Sequence, residues 1–204
     1  MKETRIVIFD CDGVMFDTAG INKAYYNRVL AHMGRPEMTE EMFAYVHAHT
    51  GDESISYLFD DEESFNAAQA FRKTLNYMEF IPSMEIEPHL KPLIRELRPR
   101  FKTAIVTNRT DTMPAILSEF ELKEYFDMVV TAWDVERPKP SPEGLLKVLN
   151  HFRLSPCEAL YVGDTPVDEA AASAAGVLFI AYANPSLKAD HHIQHLGEIR
   201  KILF

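Results

Sequence analysis

Short apolar runs alternate with helical patterns along most of this chain, and that rhythm narrows the fold more than any other feature. The runs are Ile6–Phe9, Thr103–Thr107, Met128–Thr131, Ala159–Val162 and Val177–Ile180. Each is too short for a helix and nearly continuously apolar, as strands buried on both faces are. Helical patterns lie near residues 111–119, 142–151, 166–175 and 191–201. Such alternation predicts an α/β fold, a parallel sheet with helices on both faces.

One interval breaks the rhythm. More than 90 residues separate the first two runs, and from Ala19 to Phe80 they read as several helices. Tyr25, Val29 and Leu30 stand at helical spacing, and Phe65, Phe71, Leu75 and Met78 do so loosely. Expected breaks are Gly34–Pro36, Gly51 and the acidic run Asp60–Glu63. Residues 17–82 are therefore expected to form a helical insertion. Residues 1–16 and 83–204 would form the α/β core, resumed through a helix over about 88–98.

Composition excludes several classes. With 21 basic and 31 acidic residues the formal charge is -10, unsuited to sequence-independent nucleic-acid binding. A small anionic ligand stays possible, since salt screens distant charge beyond about 10 Å. No apolar run approaches the roughly 20 residues of a membrane span. The first residues lead straight into a strand rather than a signal peptide. Two cysteines, Cys11 and Cys157, cannot make a Cys-rich zinc site. The expectation is a cytoplasmic protein, monomeric by default, with no nucleic-acid or membrane partner.

The chemistry gathers after the runs, where open parallel sheets bind ligands. Asp10-Cys11-Asp12-Gly13 follows the first. Two carboxylates one residue apart on a turn can divide work, one as nucleophile and one handling protons. The plainer alternative is a turn that merely uses Asp and Gly. Gly163-Asp164-Thr165-Pro166-Val167-Asp168 follows the fourth. Thr165 and Asp168 fit a capping box, which leaves Asp164 unexplained. Asp10, Asp12 and Asp164 make an oxygen-rich set suited to Mg²⁺. Thr107-Asn108-Arg109 ends the second run, offering a hydroxyl and backbone N–H groups to a phosphate, or else a helix cap. Lys139 is pinned between Pro138 and Pro140, a fixed point charge for a phosphate or a solvated surface lysine. All four lie at strand ends, which is hard to attribute to coincidence.

Together these segments resemble the four motifs of the haloacid dehalogenase superfamily, in order over nearly the whole chain. Phe16-Asp17-Thr18 is similar to the branch whose helical cap is inserted there. Pro138–Leu145 is similar to phosphoglycolate-phosphatase-like members, with the β-phosphoglucomutase-like branch nearby. The resemblance implies a Rossmann-like core of five parallel strands. It implies Asp10 as nucleophile forming an aspartyl-phosphate, Asp12 as acid and then base, and Lys139 joining Asp10 to the phosphate. Cys11 (through its backbone), Thr107, Asn108, Arg109 and Lys139 would bind the phosphate. Asp10, the Asp12 carbonyl, Asp164 and, less directly, Asp168 would hold Mg²⁺. Asp12 is expected to start protonated beside the Asp10 charge, and Asp10 to stay ionised near Lys139 and the metal.

The implied activity is a Mg²⁺-dependent phosphatase acting on a small phosphorylated metabolite, such as phosphoglycolate or a sugar phosphate. True dehalogenases in the superfamily do not depend on the second aspartate, so Asp12 favours phosphoryl transfer. The mutase-like branch carries a basic residue just after the glycine corresponding to Gly51. Here Asp52 follows, and residues 19–80 hold five Lys or Arg against ten Asp or Glu, which disfavours a second phosphate site. A pyrophosphatase stays open, because Arg109 could meet a further phosphate, and so does a non-catalytic binding protein. His191, His192 and His195 include an i, i+4 pair but are expected in a terminal structural stretch. Trp133 is expected to pack, and His47 and His49 to lie on a solvated helix face or meet substrate.

Overall fold

The computed structural model describes residues 3–204. Its elements, in chain order, are β1 (Ile6–Phe9), β2 (Phe16–Asp17), α1 (Ala19–His32), α2 (Glu40–Ala48), α3 (Gly51–Leu58) and α4 (Glu62–Arg72). Then come β3 (Glu85–Ile86), α5 (Leu90–Leu97), β4 (Lys102–Val106), α6 (Met113–Glu119), β5 (Met128–Val130) and α7 (Glu143–Phe152). β6 (Ala159–Gly163), α8 (Pro166–Ala175), β7 (Leu178–Tyr182), β8 (His191–Ile193) and α9 (Arg200–Leu203) complete the chain.

Six strands form one parallel sheet in the order β5-β4-β1-β6-β7-β8. The period of two along β1 splits its side chains between two cores. Val7 and Phe9 pack with Leu90, Leu93, Ile94 and Leu97 of α5. Ile6 and Ile8 pack with Leu145 and Val148 of α7 and with Ala171 and Ala172 of α8. The α5 side chains recur at i, i+3, i+4 and i+7, one helical face, and all are fully buried. At about 1.5–3 kcal/mol for each buried Leu or Ile, that stripe fixes the helix to the sheet.

The strand order also makes a crevice. From β1 the chain builds outward through β4 and β5, then crosses back to place β6 on the other side of β1. Loops diverge at the carboxyl ends of two strands whose connections run in opposite directions, and ligands bind there.

Residues 19–72 form four helices with a core of their own, including Tyr26, Val29 and Leu30 of α1, Val46 of α2, Ile55 of α3 and Ala68 of α4. The chain leaves and returns side by side, because β2 pairs antiparallel with β3 (Phe16↔Ile86, Asp17↔Glu85). Helix starts are well specified. Thr39, Thr50 and Asp61 cap α2, α3 and α4 with their side chains, and Thr50 with Glu53 makes a full capping box.

Three expectations are corrected. The sheet has six strands, not five. The helix expected over 191–201 is instead the edge strand β8, a 3₁₀ turn (Leu196–Ile199) and the short α9. Ile193, Leu196 and Ile199 are buried at a spacing of three, which imitates a helical stripe, but β7 would otherwise expose an unpaired edge and β8 covers it. The expected break at Gly51 falls between α2 and α3, but α4 ends at Arg72, leaving Leu75 and Met78 outside it with Met78 exposed.

Candidate active site

Asp10 follows β1 directly. Its N–H donates to the carbonyl of Val162 at 2.9 Å, so the sheet ladder itself aims the residue. Asp164 follows β6, the neighbouring strand, so both carboxylates stand at the crevice. Gly13 has φ +73°, and a side chain there would overlap the Asp164 carboxylate. A Cβ on Gly163 would likewise collide with Asp168. Each glycine is therefore required by the approach of an acidic side chain.

Carboxylate oxygens of Asp10, Asp164 and Asp168 lie within 4.8 Å of one another. Lys139 sits among them, nearly fully buried, its Nζ 2.8 Å from Asp10 Oδ1 and 2.6 Å from Asp168 Oδ1. Asp10 Oδ1 has the Lys139 ammonium as its close partner, and Asp164 Oδ1 is a buried oxygen that accepts no hydrogen bond. Burial, together with the Asp168 charge, pushes Asp10 up to about 7 although Lys139 pulls it down. Burial and the charges of Asp168 and Asp10 hold Asp164 well above the usual carboxylate range. One ammonium does not neutralise three carboxylates. The unsatisfied Asp164 oxygen, the uncompensated negative charge and the all-oxygen donor set fit a hard divalent cation such as Mg²⁺.

Asp168 differs from its neighbours. Burial opposes its ionisation, but the Lys139 charge and hydrogen bonds from Lys139, Thr165 and Tyr161 win, and its pKa is lowered. Oδ1 accepts from Lys139 and from Tyr161 Oη, each at 2.6 Å, and Oδ2 from Thr165 N–H (3.0 Å) and Oγ1 (2.5 Å). The expected capping box is present. Asp168 thus ties the start of α8 to Lys139, and its oxygens are already engaged.

Asp12 has a partner the sequence did not suggest. Arg109 binds it in bidentate fashion, Nε to Oδ2 at 2.7 Å and Nη2 to Oδ1 at 2.6 Å. Thr18 Oγ1 donates to Oδ1 at 2.5 Å, and Asn22 Nδ2 stands 3.5 Å from it. Burial raises the carboxyl, but Arg109 outweighs it and the pKa is lowered. The expectation that Asp12 starts protonated is not met in this arrangement, because the Arg109 charge dominates any effect of Asp10. The expectation that Asp10 stays ionised depends in the same way on charge beyond Lys139.

The other expected residues take varied places. Thr107 is buried at the end of β4, its Oγ1 accepting from Arg109 N–H at 3.2 Å. The Asn108 side chain grips the backbone of Lys139, donating to its carbonyl and accepting from its N–H, both at 2.9 Å. It also donates to the Ala48 carbonyl at 3.1 Å, joining the core to the helical insertion. That amide positions the lysine loop and is not free for a phosphate. The Cys11 thiol is fully buried in the core, and burial pushes its pKa well up, so it is no nucleophile. Trp133, expected to pack, is 71% exposed at the cavity wall. His191 and His192 lie on β8 and His195 precedes the 3₁₀ turn, so no helix presents an i, i+4 pair.

Asp10, Asp12, Thr107, Asn108, Arg109 and Lys139 open onto a cavity of about 510 Å³ between the sheet end and the helical insertion. Its far wall holds residues that sequence reasoning missed. Tyr77 Oη accepts from Arg109 Nη2 at 2.9 Å and donates to Asn22 Oδ1 at 2.8 Å. Asn22 Nδ2 lies 3.1 Å from His47 Nδ1. Arg72 reaches back from α4 so closely that a Cβ on Gly51 would overlap its guanidinium, and it pairs with Asp52 at 2.5 Å. A cation thus stands beside Gly51 after all, although it comes from a residue 20 positions beyond Asp52. No local pattern signals it. The hint available was that Arg72 and Lys73 are adjacent cations in an acidic segment.

Comparison with known proteins agrees with this geometry. Residues 7–182 match the family model described as haloacid dehalogenase-like hydrolase. A protein of Caldanaerobacter subterraneus subsp. tengcongensis, named provisionally as the pyrophosphatase PpaX, is 30% identical over 100% of this chain and 96% of its own length. The phosphoglycolate phosphatase of Nitrosospira multiformis is 30% identical over 84% of this chain and 80% of its own. Among solved structures, a HAD-superfamily hydrolase of subfamily IA from Geobacter sulfurreducens is 39% identical with a TM-score of 0.80, covering 98% of this chain and 97% of that one. A β-phosphoglucomutase from Clostridium difficile shares the fold alone, with 18% identity and a TM-score of 0.82 over 97% and 96% of the two chains. The match spans both walls of the crevice and the whole helical insertion, and this chain belongs to the haloacid dehalogenase-like hydrolase family.

Proposed function

We propose that this hydrolase is a Mg²⁺-dependent phosphatase that cleaves a small phosphorylated metabolite through an aspartyl-phosphate on Asp10. The observation that carries the reading is the Asp10 and Asp164 carboxylates gathered beside Lys139, with a buried Asp164 oxygen unbonded and with Asp10 and Lys139 on the wall of the cavity. Phosphoryl transfer asks for in-line positioning and neutralised charge more than for covalent chemistry. Asp10 and Asp164, with the Asp12 carbonyl, would hold the cation, and Asp168 would act from behind by orienting Lys139. Bound there, the cation would offset the negative charge of the phosphoryl oxygens.

In the first step an Asp10 carboxylate oxygen attacks phosphorus, and the bond to the leaving oxygen breaks. Asp12, protonated at that moment, gives its proton to the departing alkoxide. In the second, Asp12 takes a proton from water as the water oxygen attacks the same phosphorus. Inorganic phosphate leaves and Asp10 is restored. Lys139, Thr107 and backbone N–H groups stabilise the charge in both steps. The helical insertion, hydrogen-bonded to Asn108 through Ala48, would exclude bulk water from the first step.

Phosphoglycolate is the leading substrate, because two-anion metabolites suit a cavity lined by Arg109 and Arg72. Pyrophosphate is the second reading, supported by the same arginines and by the named relative. The two cysteines are both free, which suits a reducing cytoplasm. Among the described residues no helix is long and apolar enough to cross a membrane.

The test is phosphate release from a panel of esters and pyrophosphate, with Mg²⁺, with EDTA, and with Asp10→Asn. Release that needs both Mg²⁺ and Asp10 is expected. Release that survives Asp10→Asn would overturn the mechanism.

A further inference from the structure

The carboxylate assigned to proton transfer is not free to perform it. Both Asp12 oxygens face the Arg109 guanidinium at 2.6 and 2.7 Å, and Thr18 takes a further lone pair on Oδ1. A bidentate pair of this kind is among the stronger polar contacts a protein makes. Arg109 is itself nearly buried, with 8% of its side chain exposed, so water does little to loosen the pair. Its remaining nitrogen, Nη1, donates to Thr112 Oγ1 at 3.1 Å, and Tyr77 both accepts from Nη2 and offers its ring face 5.1 Å from the guanidinium carbon. Asp12, Tyr77, Arg109 and Thr112 all lie on the wall of the cavity that would receive substrate. An ordinary phosphate ester with a neutral tail would bring only its scissile phosphate, which Lys139 and the cation held by Asp10 and Asp164 would take, and no further anion to draw Arg109 away.

Resting on the phosphatase reading, we propose that Arg109 is a latch on Asp12, opened by a second anionic group on the substrate. The substrate class is then a phosphate compound carrying a carboxylate or a further phosphate next to the scissile group. That second anion takes over the guanidinium fork that Asp12 now occupies. Arg109 turns about a side chain already lined with partners, Thr112 and Tyr77, and Asp12 keeps its Thr18 hydrogen bond on Oδ1 while Oδ2 is freed for the leaving group. Selectivity is read by the same residue that gates the proton donor, so a substrate lacking the second anion is penalised in turnover as well as in binding. Asp12 is the catalytic residue here, and Arg109 acts through it and through the substrate's second anion.

The experiment compares three probes with Mg²⁺: phosphoglycolate, ethyl phosphate of similar size but with a neutral tail, and pyrophosphate. For the wild type, kcat/KM for at least one two-anion probe should exceed that for ethyl phosphate by about 100-fold, with part of the difference in kcat. The better of phosphoglycolate and pyrophosphate tells which anion the latch takes. In Arg109→Gln the ratio should shrink to within about threefold, because the neutral probe gains from an Asp12 no longer held by Arg109 while the two-anion probe loses the partner of its second anion. Should Arg109→Gln fold poorly, the wild-type ratio still decides. A wild type that turns over ethyl phosphate as fast as both others, or an Arg109→Gln variant that keeps the ratio, overturns the latch. Absence of phosphate release from all three would instead sink the phosphatase reading. The latch would then stand or fall on calorimetry with Asp10→Asn, where the two-anion probes must bind at least about tenfold tighter than ethyl phosphate and lose that margin in Asp10→Asn/Arg109→Gln.

Discussion

The two walls of the cavity are built by different means. On the sheet side, Asp10, Thr107 and Asp164 follow the ends of β1, β4 and β6, and main-chain hydrogen bonds within a buried parallel ladder place them. On the helical side, Asn22, His47, Arg72 and Tyr77 come from three helices and a 3₁₀ turn, and side-chain hydrogen bonds hold them together. The first wall is rigid because displacing one residue would break a strand. The second can reorganise by turning side chains, at about 1 kcal/mol for each hydrogen bond exchanged. A general machine for phosphoryl transfer belongs on the first, and substrate choice on the second.

The sharpest way to break this comparison is at Asp10. Asp10→Asn should lower turnover on the order of 10⁴-fold or more while the fold is kept, measured by phosphate release and circular dichroism. A variant with a tenth of wild-type activity would remove the sheet wall from the chemistry.

Lys139→Met should be the most destabilising single change in the site. It strands the buried Asp10 and Asp168 without their cation, at a cost of about 3–5 kcal/mol, read as a lower urea midpoint at unchanged m. A loss under 1 kcal/mol would show that the carboxylates find other partners.

Chelation should make stability depend on pH in a stated direction. With EDTA present, Asp10 titrates near 7 when folded and near the ordinary 3.9 when unfolded. Between those values the folded state holds a proton that the unfolded state has released, so stability falls as pH rises from about 4 to about 7. Asp164, also raised, adds in the same sense. Asp168 runs the other way: its lowered pKa stabilises above the unfolded value, and that support fades as pH falls below it. Mg²⁺ should flatten the slope and raise the melting temperature most at pH 8. Melting curves identical with Mg²⁺ and EDTA at pH 8 would count against a metal at Asp10 and Asp164.

On the helical wall the effects should be smaller. Tyr77→Phe removes one acceptor for Arg109 and one donor to Asn22, and should cost about 1 kcal/mol. Arg72→Met breaks a pair whose other member, Asp52, is 75% exposed, and should change stability by less than about 1 kcal/mol. If either rivals Lys139→Met in a denaturation series, the two walls are not built differently after all.

How much of this was legible in the chain follows the same division. Asp10, Asp164 and Lys139 were readable because each sits in a short motif tied to a strand end or a proline loop. The Thr165–Asp168 capping box was readable for the same local reason, and the expected helix 166–175 matches α8. Local rules failed at β8, where buried residues three apart imitate a helix and the demand of an open sheet edge prevails. They failed again at Trp133, whose size suggested packing and whose position is exposed.

The sequence alone determined five of the six sheet strands, the helices between them, the helical insertion and the line of carboxylates at the strand ends, because period, capping and turn chemistry act over a few residues. Only the tertiary structure decided the partners of those carboxylates. Arg109 lies 97 positions from Asp12, Asp168 29 from Lys139, and Arg72 20 from Asp52. Electrostatic pairing acts through space and not along the chain, so the ionisation of each group was settled only when folding brought its neighbours within about 3 Å.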